Sequence, residues 1–140
     1  MAKIITVFST KGGVGRTLIT ANLAVALAKD QGSRVCLVDL DLQLPGDMAR
    51  MLNISVQKSA LDLIAYLKKD VGPSIPALKK YEFLTKTSFD LDFLSGVSRP
   101  QQSSNFEADK LKDMFDFLSK DYDFIVIDVG RSFSEAFVAN

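Results

Sequence analysis

Short apolar runs alternate along this chain with longer stretches of helical period, and the alternation predicts its elements. Lys3 to Ser9, with Ile4-Ile5-Thr6-Val7-Phe8 at its centre, is apolar on both faces, as a central strand of a parallel sheet is. From Thr17 to Gln31 the residues Leu18, Ile19, Ala21, Leu23, Ala24, Val25, Leu27 and Ala28 cover almost the whole circumference of a helix. Such a helix is buried on most sides, or a partner covers its outer face. Gly32 is placed to end it, since glycine takes the left-handed conformation at little cost. Arg34 to Asp39 reads as a second buried strand, and strand–helix–strand at this spacing predicts a right-handed parallel crossover.

The pattern continues through a polar loop from Asp39 to Gly46 and a short helix from Asp47 to Leu52. A further helix runs from Ser59 to Lys69, with Ser59 as its cap and Leu61, Ile64, Ala65 and Lys68 at helical spacing. Val71 to Pro76 is expected as a loop and Tyr81 to Leu84 as a short edge strand. Phe89, Leu91 and Phe93 alternate with Asp90 and Asp92, the pattern of a strand with one buried face. Ser95 to Ser103 is a loop, and Ser104-x-x-Glu107 is a capping box. The helix it opens carries Leu111, Met114, Phe115, Leu118 and Tyr122 on one stripe, and Phe124 to Asp128 is a last, wholly apolar strand. The expected architecture is α/β: one domain over residues 1–140, three layers, a mostly parallel sheet with helices on both faces.

Composition narrows the chemistry. The chain has 140 residues, nearly half of them apolar, enough for a sizeable core. Seventeen basic residues balance seventeen acidic ones, so no global charge argues for nucleic acid or an anionic membrane. With no histidine, His-based acid–base catalysis and His metal ligation are excluded. One cysteine, Cys36, excludes an internal disulfide and any site built from several cysteines, and on an apolar strand it reads as a core residue rather than a reactive thiol. No apolar run approaches the length that crosses a bilayer, and no signal peptide is recognisable, so the cytoplasm is the expected compartment.

The chemistry concentrates in Ser9-Thr10-Lys11-Gly12-Gly13-Val14-Gly15-Arg16-Thr17, between the first strand and the first helix. Strand, glycine-rich turn and helix are the context in which a phosphate-binding loop has meaning. The glycines let backbone N–H groups point into one concavity, and the helix N-terminus adds unpaired donors and partial positive charge. Gly12, Gly13, Val14, Gly15, Arg16 and Thr17 would cradle the phosphates, with the Thr17 hydroxyl placed to ligate Mg²⁺. A turn that merely joins a buried strand to a buried helix is the competing reading; residue types, spacing and flanks agree with phosphate binding instead. Thr10 and Arg16 depart from the pattern G-x-x-x-x-G-K-[ST], standing where its first Gly and its Lys would be. A guanidinium is larger than an ammonium and planar, yet makes bidentate phosphate contacts. Nucleotide binding is therefore expected to survive Arg16, with a poorer fit to the transition state. Asp39 and Asp128 end apolar strands, and Asp41 follows two residues after Asp39; ligands of open α/β sheets bind at those strand ends. Aspartate is also a common turn former there, so each gains its meaning from the glycine-rich loop.

The run Lys11-Gly12-Gly13-Val14-Gly15-Arg16-Thr17 resembles the deviant Walker A loop of the MinD/ParA family of P-loop ATPases. The resemblance implies that Lys11 is the signature lysine, reaching ATP held in a partner subunit, so that ATP joins two copies face to face. Phe124 to Asp128 resembles Walker B, which makes Asp128, with Thr17 and Asp39, a holder of the Mg²⁺ shell. Val38 to Gln43 resembles switch I, in which Asp41 orients the attacking water; Asp128 to Arg131 resembles switch II. Gln43 and Arg131 are the weaker candidates, since surface loop residues have the same look. Within the family, Val38 to Ala49 looks most like the pilus-assembly branch, CpaE/TadZ.

The implied function is an ATP-binding, dimerising switch with slow ATP hydrolysis, with ATP and Mg²⁺ as cofactors. It would act with protein partners of a polar or membrane machine, in pilus or secretion-machinery localisation, partition or division-site selection. Partition ATPases that bind DNA and division ATPases that bind membrane are other branches. The alternative is a non-hydrolysing scaffold of the same fold that works through protein contacts. An iron–sulfur carrier of this fold would need cysteines that Cys36 alone does not supply. The resemblance covers nearly all of the chain, while the chain is expected to cover only the first part of such a domain.

Overall fold

A computed structural model describes residues 2–8, 14–30, 32–41, 47–56, 58–68, 77–96 and 108–130. The elements are β1 (Lys3–Phe8), α1 (Val14–Asp30), β2 (Val35–Asp39), α2 (Asp47–Met51), α3 (Ala60–Leu67), α4 (Ala77–Phe83), β3 (Thr85–Lys86), β4 (Asp92–Ser95), α5 (Ala108–Leu118) and β5 (Phe124–Gly130). The five strands form one sheet in the order β1-β5-β2-β4-β3. The pairs β1–β5, β5–β2 and β2–β4 are parallel, and only the two-residue β3 runs antiparallel to its neighbour β4. This is the mostly parallel α/β sheet that the pattern predicts.

The continuous apolar runs are explained by burial on both sides. Cys36, Val38, Leu94, Ile125, Ile127 and Val129 pack with α3, α4 and α5 on one face. The alternate residues Val35, Leu37, Phe93 and Val126 pack with α1 and α2 on the other. On α1 the inward stripe is Ala21, Ala24 and Ala28, whose small side chains let the helix lie close over β5, β2 and β1. Gly32 has φ +62°, the left-handed turn expected just after α1. At the start of α3 the Asp62 carboxylate reaches back to accept from the Ser59 backbone N–H at 2.8 Å and from its hydroxyl at 3.2 Å.

Among the described residues β1 pairs with β5 alone, and Ile4 is 48% exposed. Two expectations are corrected. Tyr81 to Leu84 is no edge strand, since Tyr81 to Phe83 closes α4 and the edge strand is Thr85–Lys86. The alternation from Phe89 to Phe93 belongs mostly to a turn. In it the Thr87 N–H and hydroxyl both donate to the Leu91 carbonyl, and Asp90 has φ +64°. All four residues of β4 are buried, Asp92 included. The expected loops at Val71–Pro76 and after Ser95, the capping box at Ser104 and the segment beyond Gly130 lie mainly outside the described residues.

Candidate nucleotide site

Because β5 lies between β1 and β2, Asp39 and Asp128 become neighbours. They are register partners at the carboxyl ends of β2 and β5. Parity puts them on one face: Asp39 follows Val35 and Leu37, and Asp128 follows Val126, all on the α1 side. α1 brings Thr17 to the same place, where its hydroxyl lies 3.4 Å from Asp128 Oδ2. Asp41 folds back so that its backbone N–H donates to Asp39 Oδ1 at 3.0 Å, an Asx-type turn. All four residues are buried, Asp128 completely.

Backbone bonds lock this end of β2 from both sides. The Leu40 N–H donates to the Asp128 carbonyl at 2.7 Å, and the Gly96 N–H donates to the Asp39 carbonyl at 2.7 Å. Leu40 is fully buried in the opposite layer, against the α3–α5 side of the core. Burying a leucine is worth about 2 kcal/mol. That burial fixes the point between the two aspartates.

Two buried carboxylates in register, with a hydroxyl beside one of them, favour positive charge shared between them. The donors are all oxygens, the set that suits a hard cation such as Mg²⁺. Among the described residues no three acidic, histidine or cysteine side chains converge to hold a metal by themselves. That fits Mg²⁺, which keeps several waters and takes one or two protein carboxylates together with substrate phosphates.

Of the expected site residues, the structure thus brings Thr17, Asp39, Asp41 and Asp128 together. Val14, Gly15 and Arg16 form the first turn of α1, directly before Thr17. Lys11, Gly12, Gly13, Gln43 and Arg131, and the side chains of Val14 and Arg16, lie outside the described residues. Two residues at this end escaped the sequence reading. Ser95, a buried polar residue, is the register partner of Asp39 on the side away from Asp128, and Gly96 follows it. Their signal was an apolar strand, Phe93-Leu94, running straight into a small polar pair, the same form as Val38-Asp39 and Ile127-Asp128.

Comparison with known proteins agrees with this fold. Residues 2–137 match the AAA_31 family, described as an AAA domain. The septum site-determining protein MinD of Bacillus subtilis is 31% identical over 128 residues, covering 91% of this chain and 45% of that protein. MinD from Pyrococcus horikoshii, solved in complex with Mg-ADP, superposes with a TM-score of 0.70 at 31% identity, over 91% of this chain and 49% of that one. A ParA family ATPase from Chlorobium tepidum shares the fold with a TM-score of 0.80 at 23% identity, over 98% of this chain and 55% of that one. The chain spans about half the length of the relatives it matches. On the match across nearly its whole length, the chain belongs to the AAA_31 domain family and, with these relatives, to the MinD/ParA group of P-loop proteins.

Proposed function

We propose that the chain is the phosphate- and Mg²⁺-binding part of an ATP-dependent switch that hydrolyses ATP slowly and pairs with a second copy around the nucleotide. The observation that carries this reading is the buried group of Asp39, Asp128 and Thr17 at the carboxyl ends of the strands, one helical turn from a glycine-rich loop. Backbone N–H groups of residues 12–17 and Arg16 would bind the phosphates. The Thr17 hydroxyl, with Asp39 and Asp128 through water, would hold Mg²⁺; bound Mg²⁺ supplies charge neutralisation at the phosphate oxygens. Asp41 would orient water, its backbone held by the bond to Asp39. Lys11 would act across the dimer on the partner's nucleotide. The role of MinD in septum placement supports intracellular positioning as the setting, with division-site selection, partition and pilus-machinery localisation as its forms. For recruitment to a pole or membrane the agent would be a protein partner; no helix among the described residues is long and apolar enough to cross a membrane.

The test is phosphate release with Mg-ATP as a function of protein concentration. A rate per molecule that rises with concentration and is lost in Lys11→Ala and Asp41→Asn supports the switch. Release that is independent of concentration and of Lys11 overturns the dimer. Arg16 favours a second reading, a scaffold that holds nucleotide without turnover. Nucleotide binding with no release, and release gained on Arg16→Lys, would establish it.

A further inference from the structure

We propose that Gly96, at the carboxyl end of β4, is a positioning residue that sets where Asp39 and Asp41 stand. The proposal deepens the nucleotide-site reading and rests on it for its functional consequence. Gly96 lies against the end of β2, and its N–H holds the Asp39 carbonyl at 2.7 Å. A methyl group on Gly96 would lie 2.7 Å from that same carbonyl oxygen, 3.1 Å from Leu40 Cδ2 and 3.6 Å from Leu40 Cα. The nearest atom is backbone, so no rotamer change relieves the contact. The Asp39–Leu40 peptide itself must move.

That peptide has nowhere neutral to go. On its other side the Leu40 N–H is bonded to the Asp128 carbonyl, and the Leu40 side chain is fully buried in the far layer. A displacement of the Asp39 carbonyl therefore passes to Asp41, whose N–H depends on Asp39 Oδ1, and to the spacing between Asp39 and Asp128. A glycine is required here by close approach, and the residue it approaches carries the site. Gly96 touches neither substrate nor metal; it acts through the two aspartates.

Gly96→Ala tests this on the whole chain with two readouts. Amide NMR of the nucleotide-free protein should show Leu40 and Asp41 shifted, while Val35 and Phe124, at the far ends of the same strands, stay in place. Nucleotide titration should then show the affinity for ADP without Mg²⁺ unchanged and the tightening by Mg²⁺ reduced by about tenfold, the size typical of groups that orient a metal's ligands. Tyr122→Phe, which loosens the opposite end of the sheet, should leave that tightening intact, separating position from stability. Should Gly96→Ala fail to fold, Gly96→Ala/Leu40→Val removes the Cδ2 contact, keeps the carbonyl contact and carries the same expectations. An Asp41 amide that does not move, or equal loss of Mg²⁺ tightening in Tyr122→Phe, overturns the proposal. If the wild type shows no Mg²⁺ tightening at all, the nucleotide reading fails, and the Asp41 amide alone still decides whether Gly96 positions the loop.

Discussion

The sheet carries a buried acidic group at each end, and the two are built in opposite ways. At the amino end, Asp92 opens β4 and is surrounded by donors. It accepts from the Tyr122 hydroxyl at 2.6 Å and the Tyr81 hydroxyl at 3.1 Å, and Lys80 Nζ lies 3.7 Å away. Lys80 also stands 4.3 Å from the centroid of the Tyr122 ring. At the carboxyl end, Asp39 lies in register with Asp128, so an acid faces an acid. The first arrangement is met by phenol and ammonium donors and ties α4, β4 and the segment between α5 and β5 together. The second brings two carboxylates into register beside the Thr17 hydroxyl, where a cation and phosphates would add to the partners these residues already have. Burial of a carboxylate is thus no sign of function by itself; what surrounds it decides.

The largest expected effect is at the amino end. Asp92→Ala removes the acceptor for two hydroxyls and one ammonium and should lower stability by about 3 kcal/mol in urea unfolding, leaving nucleotide affinity unchanged. Tyr122→Phe should cost about 2 kcal/mol, the value of a buried hydrogen bond to a charged acceptor. Burial, then the neighbouring Cys36 and the bond to Asp92, hold the Tyr122 hydroxyl above its ordinary value of 10.0. The unfolded chain therefore loses that proton first. Stability from this group is complete below pH 10.0 and declines as pH rises past it. Melting temperature followed through that alkaline range should fall less steeply in Tyr122→Phe.

A different readout is expected to move at the carboxyl end. Asp128→Asn keeps the size of the side chain and should abolish the tightening of nucleotide by Mg²⁺ while costing about 1 kcal/mol in the same unfolding measurement. If it destabilises as Asp92→Ala does, the contrast between the two ends is wrong. The smallest effect belongs to Tyr81→Phe. That ring is 42% exposed and its hydroxyl shares Asp92 with Tyr122, so about 0.5 kcal/mol is expected from the same unfolding measurement.

Much of this was legible in sequence, for physical reasons that also mark where legibility stopped. Unbroken apolar runs ending in Asp announced parallel strands with acids at their carboxyl ends, which pointed to Asp39, Asp41 and Asp128, while the glycine-rich loop pointed to Thr17. The order of the described strands was hidden because it is set by pairing across the chain, not by local pattern. Asp92 was read as a solvent-facing residue because alternation shows only where a side chain points, not whether Tyr81 and Tyr122 wait there. Gly96 was passed over because a glycine needed for close approach looks like one in any loop until the neighbouring carbonyl is seen.

The insertion of β5 between β1 and β2 has a consequence for synthesis on the ribosome. Lys3 pairs with Phe124 and Cys36 with Ile125, so among the described residues β1 has no partner strand, and β2 has β4 alone, until the last described element has been made. Contacts this distant in sequence form slowly, and the nascent chain meanwhile exposes unpaired strand edges that chaperones recognise. Cys36, the chain's one thiol and fully buried once β5 has docked, reports the event directly. Thiol labelling of stalled nascent chains should remain fast up to the length at which residues 124–130 emerge, and stop there.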